Sequence, residues 1–165
     1  MASQPQLFEP THYQLYEISF TADVLQAKQR PRFNAKERRT YTPTETTDAE
    51  RQIAIAYKGA CIRKYGHVVR APKGVPVAMQ VDCYTKAPKK YPDWLPKWLK
   101  PRMPFTKKPD WDNLGKTVAD GLNEVAYHDD AQITAAHVYK HDLADKGGYI
   151  EVTLQFYLPE GYQFD

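Results

Sequence analysis

Hydrophobic residues recur along this chain at two different periods, and the order in which those periods alternate limits the fold more than any other feature. Residues 13–21, YQLYEISFT, have β-type composition and predict a first strand. Residues 46–65 carry Ile53, Ala56, Tyr57, Ala60 and Cys61 at helical spacing, with Thr46 or Thr47 as a cap and Arg63 and Lys64 in the last turn. Residues 75–85, VPVAMQVDCYT, alternate apolar and polar and predict a second strand. Leu114, Val118, Leu122 and Val125 form a narrow apolar stripe that predicts a second helix over 112–126. Two more strands are expected at 132–142 and 148–158, with Lys146-Gly147-Gly148 as a hairpin turn between them. The order β-α-β-α-β-β predicts an α+β domain, a mixed or antiparallel sheet with two helices packed on it. A chain of 165 residues fits one domain. That domain is expected over 13–165, after a weakly ordered lead-in at 1–12.

Two stretches stand outside the pattern. Gln26 to Thr44 is polar and holds Lys28, Arg30, Arg32, Lys36, Arg38 and Arg39. Lys86 to Thr106 holds five of the 13 prolines and sets Tyr91, Trp94 and Trp98 among lysines. A loop of that length is usually functional or disordered, and a short helical turn can form around Asp93 to Leu99. Its aromatics could stack on unpaired bases or serve as core and dimer contacts. No run approaches the roughly 18 apolar residues of a membrane span. The start, MASQPQLFEP, lacks the basic and then apolar pattern of a signal peptide. Cys61 and Cys83 form no CxxC, which argues against a disulfide framework or a thiolate zinc site and suits a reducing cytoplasm.

The net charge of +3 hides a split. Residues 1–108 hold 20 Lys+Arg against 9 Asp+Glu, a charge of +11, and residues 109–165 hold 3 against 11, a charge of −8. Such a split fits two solvated faces. It equally fits a surface for a polyanion beside a carboxylate cluster that holds cations.

The densest local signal is KKPDWDNLGKTVADGLNEVAYHDDAQI, residues 107–133. Asp110 and Asp112 stand at a helix start, where residues two apart can converge on one cation. Lys116 follows Asp112 by four and shares its helical face. At ~100° per residue it points away from the apolar stripe. Asp120 continues the polar side, as a surface residue or an ion-pair partner of Lys116. Asp129-Asp130 precedes a strand, and if that strand lies under the start of the helix, one of the pair can return to Asp110 and Asp112. Three carboxylates in one place repel one another unless a cation is present, and an all-oxygen set suits Mg²⁺ or Mn²⁺. Such a site can hydrolyse a phosphodiester, with a lysine to stabilise developing negative charge. The structural alternatives are an N-cap for Asp110 and a turn for Asp129-Asp130. Asn113 could orient a ligand or only serve the helix start. His137 and His141 lie in a predicted strand with no evident metal partner, and His128 reads as a turn residue. No Gly-rich phosphate loop, G-x-S-x-G or zinc-deaminase signature is present.

Three motifs together resemble the RusA-type Holliday junction resolvases, many of them encoded by phages and prophages. They are Lys108-Pro109-Asp110-Trp111-Asp112-Asn113-Leu114-Gly115-Lys116, then Asp120-Gly121-Leu122-Asn123, then Asp129-Asp130-Ala131-Gln132-Ile133. Lys28-Gln29-Arg30-Pro31-Arg32-Phe33 followed by Tyr41-Thr42-Pro43 is similar to that family's R-P-R-F…Y-T-P region. With the element order, the resemblance covers most of residues 13–158. The chain departs from the pattern at Glu124, where the family often has Gly, and at Trp111, where it often has a bulky aliphatic residue. Gly115 inside the helix costs roughly 1 kcal/mol relative to Ala.

The resemblance implies a homodimer that binds four-way or other branched DNA and nicks two opposed strands symmetrically with Mg²⁺. The catalytic residues carried over by position are Asp110, Asp112, Lys116 and Asp130, with the three aspartates as metal ligands. Asp129, Asn113 and Asp120 are secondary candidates. Arg30, Arg32, Lys107 and Lys108 are expected to contact DNA phosphates. The implied location is the cytoplasm, a bacterial host's if phage-encoded. The rival readings are a junction-binding protein that does not cut, a nuclease for flaps or replication forks, and an RNA nuclease of similar chemistry.

Overall fold

The computed structural model describes residues 12–86, 89–99, 106–144 and 148–164. Its elements run β1 (Tyr13–Ala22), β2 (Arg32–Asn34), β3 (Arg39–Tyr41), α1 (Thr44–Tyr65), β4 (Val77–Lys86), α2 (Trp111–Leu122), β5 (Ile133–Ala144) and β6 (Tyr149–Pro159). The four long strands form one sheet in the order β1-β6-β4-β5. β6 runs antiparallel to both β1 and β4, and β5 runs parallel to β4. The expected α+β architecture is therefore present, with a mixed sheet. The lead-in lies, apart from His12, outside the described residues.

Period-two alternation explains the two layers. On β1, Tyr16, Ile18, Phe20 and Ala22 turn inward, and on β6 Ile150, Val152, Leu154, Phe156 and Leu158 do the same. They meet Ile53, Tyr57 and Cys61 of α1 and Leu114, Val118 and Leu122 of α2 in one core. Each fully buried Leu, Ile or Phe contributes about 1.5–3 kcal/mol. The opposite face carries Glu17, Ser19, Gln80, Asp82 and Glu151 together with exposed Leu15, Tyr139 and Tyr157. On that face His141 Nε2 lies 2.8 Å from Asp82 Oδ1 and its ring stacks on Tyr84. Cys61 and Cys83 are free and buried, and burial pushes the Cys83 thiol up to about 12. Among the described residues no helix is long and apolar enough to cross a membrane.

Several expectations need correction. β5 and β6 are not a hairpin: β4 lies between them, and the Gly148 N–H donates to the Tyr84 carbonyl at 3.0 Å. Lys146 and Gly147 of that expected turn lie outside the described residues. α1 starts at Thr44 with Pro43 as N-cap, so Thr46 is buried inside the helix rather than capping it. α2 ends at Leu122 rather than 126, because Asn123 and Glu124 form a turn. β2 and β3 pair as a short antiparallel ribbon within the polar stretch. In the proline-rich loop, Leu95 and Leu99 close turns on the Pro92 and Pro96 carbonyls in place of a helix. Leu95 is buried, whereas Trp94 and Trp98 are exposed.

Candidate active site

α2 is an amphipathic helix, and its polar side presents the candidate residues. Leu114 and Val118 are both 2% exposed while Lys116 between them faces solvent, as the spacing predicts. Gly115 explains itself in this packing: a Cβ there would stand 2.9 Å from Val138 Cγ2 on β5. Gly121 plays the same part against α1, where a Cβ would stand 3.0 Å from the Cα and carbonyl oxygen of Glu50. The helix thus lies closely on both β5 and α1.

Asp110 occupies the N-cap position, with extended backbone at φ −71° and ψ 145°, but its side chain makes no capping hydrogen bond. Its carboxylate stays exposed, and so does that of Asp112 in the first turn. Both sit at the positive end of the helix dipole. Lys107 and Lys108 precede them and are exposed, and the Lys107 carbonyl accepts a bond from Lys140 Nζ at 2.7 Å. Asn113 is half-buried, and its carbonyl accepts from the Lys28 N–H at 3.1 Å and from the Thr117 hydroxyl at 3.0 Å.

The acidic pair divides into two roles. Asp129 caps a single 3-10 turn over Asp130–Gln132, accepting from the Ala131 N–H at 2.8 Å. Gln132 completes the box by accepting from the N–H groups of His128 and Asp129. Its Nε2 also donates to the Pro72 and Val75 carbonyls at 2.8 and 3.0 Å, which anchors the turn. Asp130 lies in the turn with its side chain exposed. Tyr127, beneath it, donates to the Ala119 carbonyl at 2.7 Å. Burial pushes the Tyr127 hydroxyl up, and the carboxylates of Asp130 and Asp120 add to that shift. Gln132 was not singled out from sequence, although Asp129-x-x-Gln132 has the spacing of a capping box.

Asp120 pairs with Lys28 at 2.7 Å, not with Lys116. The structure does not bring all the acids together within one chain. Gly115 lies over Val138, well along β5, so the start of β5 sits beneath the far end of α2. Asp112 opens α2, whereas the charge of Asp130 acts on the Tyr127 hydroxyl, which bonds the Ala119 carbonyl about two turns further along the helix. Among the described residues no group of three or more His, Cys, Asp or Glu side chains is disposed to hold a metal ion. Arg30 and Arg32 are exposed, with Arg32 on the β2–β3 ribbon beside Tyr41.

A protein-family model described as endodeoxyribonuclease RusA matches residues 24–155, from the end of β1 to most of β6. No curated protein matches the chain.

Proposed function

The chain belongs to the RusA endodeoxyribonuclease family, and from that premise we propose that it is a Mg²⁺-dependent, structure-selective endonuclease that resolves Holliday junctions by paired nicks. The observation that carries the site assignment is the uncapped carboxylate of Asp110. It stands where a capping acid belongs, yet makes no cap, which favours a ligand role over the structural one. Asp112 and Asp130 are likewise exposed, whereas Asp129 is engaged in its own turn. Exposed carboxylates suit a hard divalent cation. Asp110, Asp112 and Asp130 are the proposed ligands. A cation held there supplies Lewis-acid chemistry for phosphodiester hydrolysis, in which water is the nucleophile. Lys116 stabilises the negative charge that develops on the phosphate or the leaving oxygen. Arg30, Arg32, Lys107 and Lys108 hold flanking phosphates and set the register of the strand.

The distance between the two ends of α2 bears on oligomeric state. In a two-fold dimer, Asp130 of the partner subunit can complete the set begun by Asp110 and Asp112. Two equivalent sites then face two equivalent phosphates of a junction with near two-fold symmetry. This reading keeps the three acids and makes the homodimer a condition of cleavage.

The test is a synthetic four-way junction incubated with Mg²⁺. The wild-type protein should nick two opposed strands, and Asp112→Asn should lose at least about a hundredfold in rate. Equal cleavage by both would sink the site assignment. Tight, salt-sensitive binding without a metal-dependent product would establish a junction binder instead. Faster cutting of flaps or forks would move the substrate class.

A further inference from the structure

We propose that Lys28 is a positioning residue for the cleavage site: its ammonium is the cation that closes the crossing of α1 and α2 and so fixes the turns of α2 that carry Asp112 and Lys116. The inference rests on the reading of α2 as the catalytic helix. Lys28 lies between β1 and the β2–β3 ribbon, in the same short segment as Arg30. Its Nζ lies 2.6 Å from Glu50 Oε1 on α1 and 2.7 Å from Asp120 Oδ2 on α2, and the three side chains are only 22–23% exposed. Its backbone N–H donates to the Asn113 carbonyl in the first turn of α2. The next N–H, of Gln29, donates to the hydroxyl of buried Thr46 on α1 at 3.4 Å. One short segment thus grips both helices through backbone and side chain.

The crossing needs a cation. Gly121 brings the two helices so close that a Cβ would press on the Glu50 backbone. Glu50 and Asp120 therefore meet from opposite helices in a partly buried place, where salt screens their repulsion poorly. Burial pulls the Lys28 ammonium down, but its hydrogen bonds to Asp120 and Glu50 outweigh that, and the net shift is upward. Lys28 is thus a permanent cation between two acids. Its charge is neutralised inside the fold, unlike that of exposed Arg30 two residues on. The two neighbours have separable roles: Arg30 meets DNA, and Lys28 holds the helix.

The experiment compares wild type, Lys28→Met, Lys28→Arg and the triple variant Lys28→Met/Glu50→Gln/Asp120→Asn. Each is measured for kcat on a four-way junction, junction Kd with its salt slope, and amide hydrogen exchange over residues 113–117. Lys28→Met should lower kcat by about ten- to a hundredfold, leave Kd and salt slope near wild type, and speed exchange in the first turns of α2. Lys28→Arg should restore most of kcat. The triple variant, with no charges left to repel, should recover both kcat and protection. A salt slope reduced by about one in Lys28→Met marks a phosphate contact instead and overturns the proposal. Unchanged kcat, or unchanged exchange, in Lys28→Met also overturns it. If Lys28→Met does not fold, the triple variant decides: near-wild-type kcat and exchange support the proposal, and a slow triple variant overturns it. If wild type itself cuts no junction, the nuclease reading fails, while exchange still reports whether Lys28 orders α2.

Discussion

Gly115 stands where a Cβ would meet Val138 Cγ2 at 2.9 Å, so α2 gives up helix propensity in return for close seating on β5. Gly115→Ala should destabilise the fold by about 1–3 kcal/mol through overpacking, although Ala is the better helix former by about 1 kcal/mol. Urea unfolding measures it, with Val138→Ala in the same chain expected to recover part of the loss. A more stable Gly115→Ala protein would refute the packing argument. Glu124 shows the reverse case. It holds φ at +60° in the turn after α2, a position that favours Gly, and its carboxylate accepts from the Arg70 guanidinium. That pair is exposed on the Glu124 side and so contributes little. Glu124→Gly should therefore hold or raise stability, by up to about 1 kcal/mol, through relief of left-handed strain. A clear loss in the urea midpoint would show that the Arg70 contact dominates. At Glu124 the family's usual Gly was the sequence signal for this turn, whereas the environment of Gly115 was not legible. Gly115 looked like a plain defect in a helix, and nothing local reveals that Val138, 23 positions on, fills the space above it.

Elements whose period runs over ten residues or more were legible, and short or non-local ones were not. β1, α1, β4 and both C-terminal strands fall within two residues of their expected ends, because each buries a long regular stripe. The end of α2 was missed by four residues. Val125 falls on the apolar stripe, but it is half-buried in the turn rather than helical. The hairpin between β5 and β6 failed for a topological reason. Turn chemistry around Gly148 is local, but sheet order is not, and β4 takes the place between the two strands. The β2–β3 ribbon was invisible because each strand has only three residues. It is also the element that most sharpens the DNA proposal, since it carries Arg32 and Arg39 on one face with exposed Tyr41. Arg32→Ala should weaken junction binding and lower its salt slope by about one. Fluorescence anisotropy across a salt series measures this, and an unchanged slope removes the ribbon from the DNA surface.

The division of charge along the chain, basic through residue 108 and acidic beyond it, takes a more specific form if the protein acts as the proposed dimer. Among the described residues no three acids of the last third are disposed around one cation: Asp110 and Asp112 start α2, and Asp130 lies in the turn before β5. Asp120 is already neutralised by Lys28. If each cleavage site is built across the dimer, the carboxylates meet only where two copies meet, and a cation bound there cancels the part of the −8 that would repel DNA. This predicts complementation. Asp112→Asn and Asp130→Asn are each expected to be inactive as homodimers, because both sites lose a ligand. A heterodimer of the two, made by co-expression with different tags, keeps one site with all its acids and one site with two missing. It should nick one strand of a junction, and a random mixture should show about a quarter of the wild-type sites. Because each heterodimer has a single intact site, its product should be a singly nicked junction rather than two resolved duplexes. Gel analysis under native and denaturing conditions separates those outcomes. If the purified heterodimer is as inactive as its parents, all three acids act within one subunit, and α2 must then move relative to β5 when metal and DNA bind.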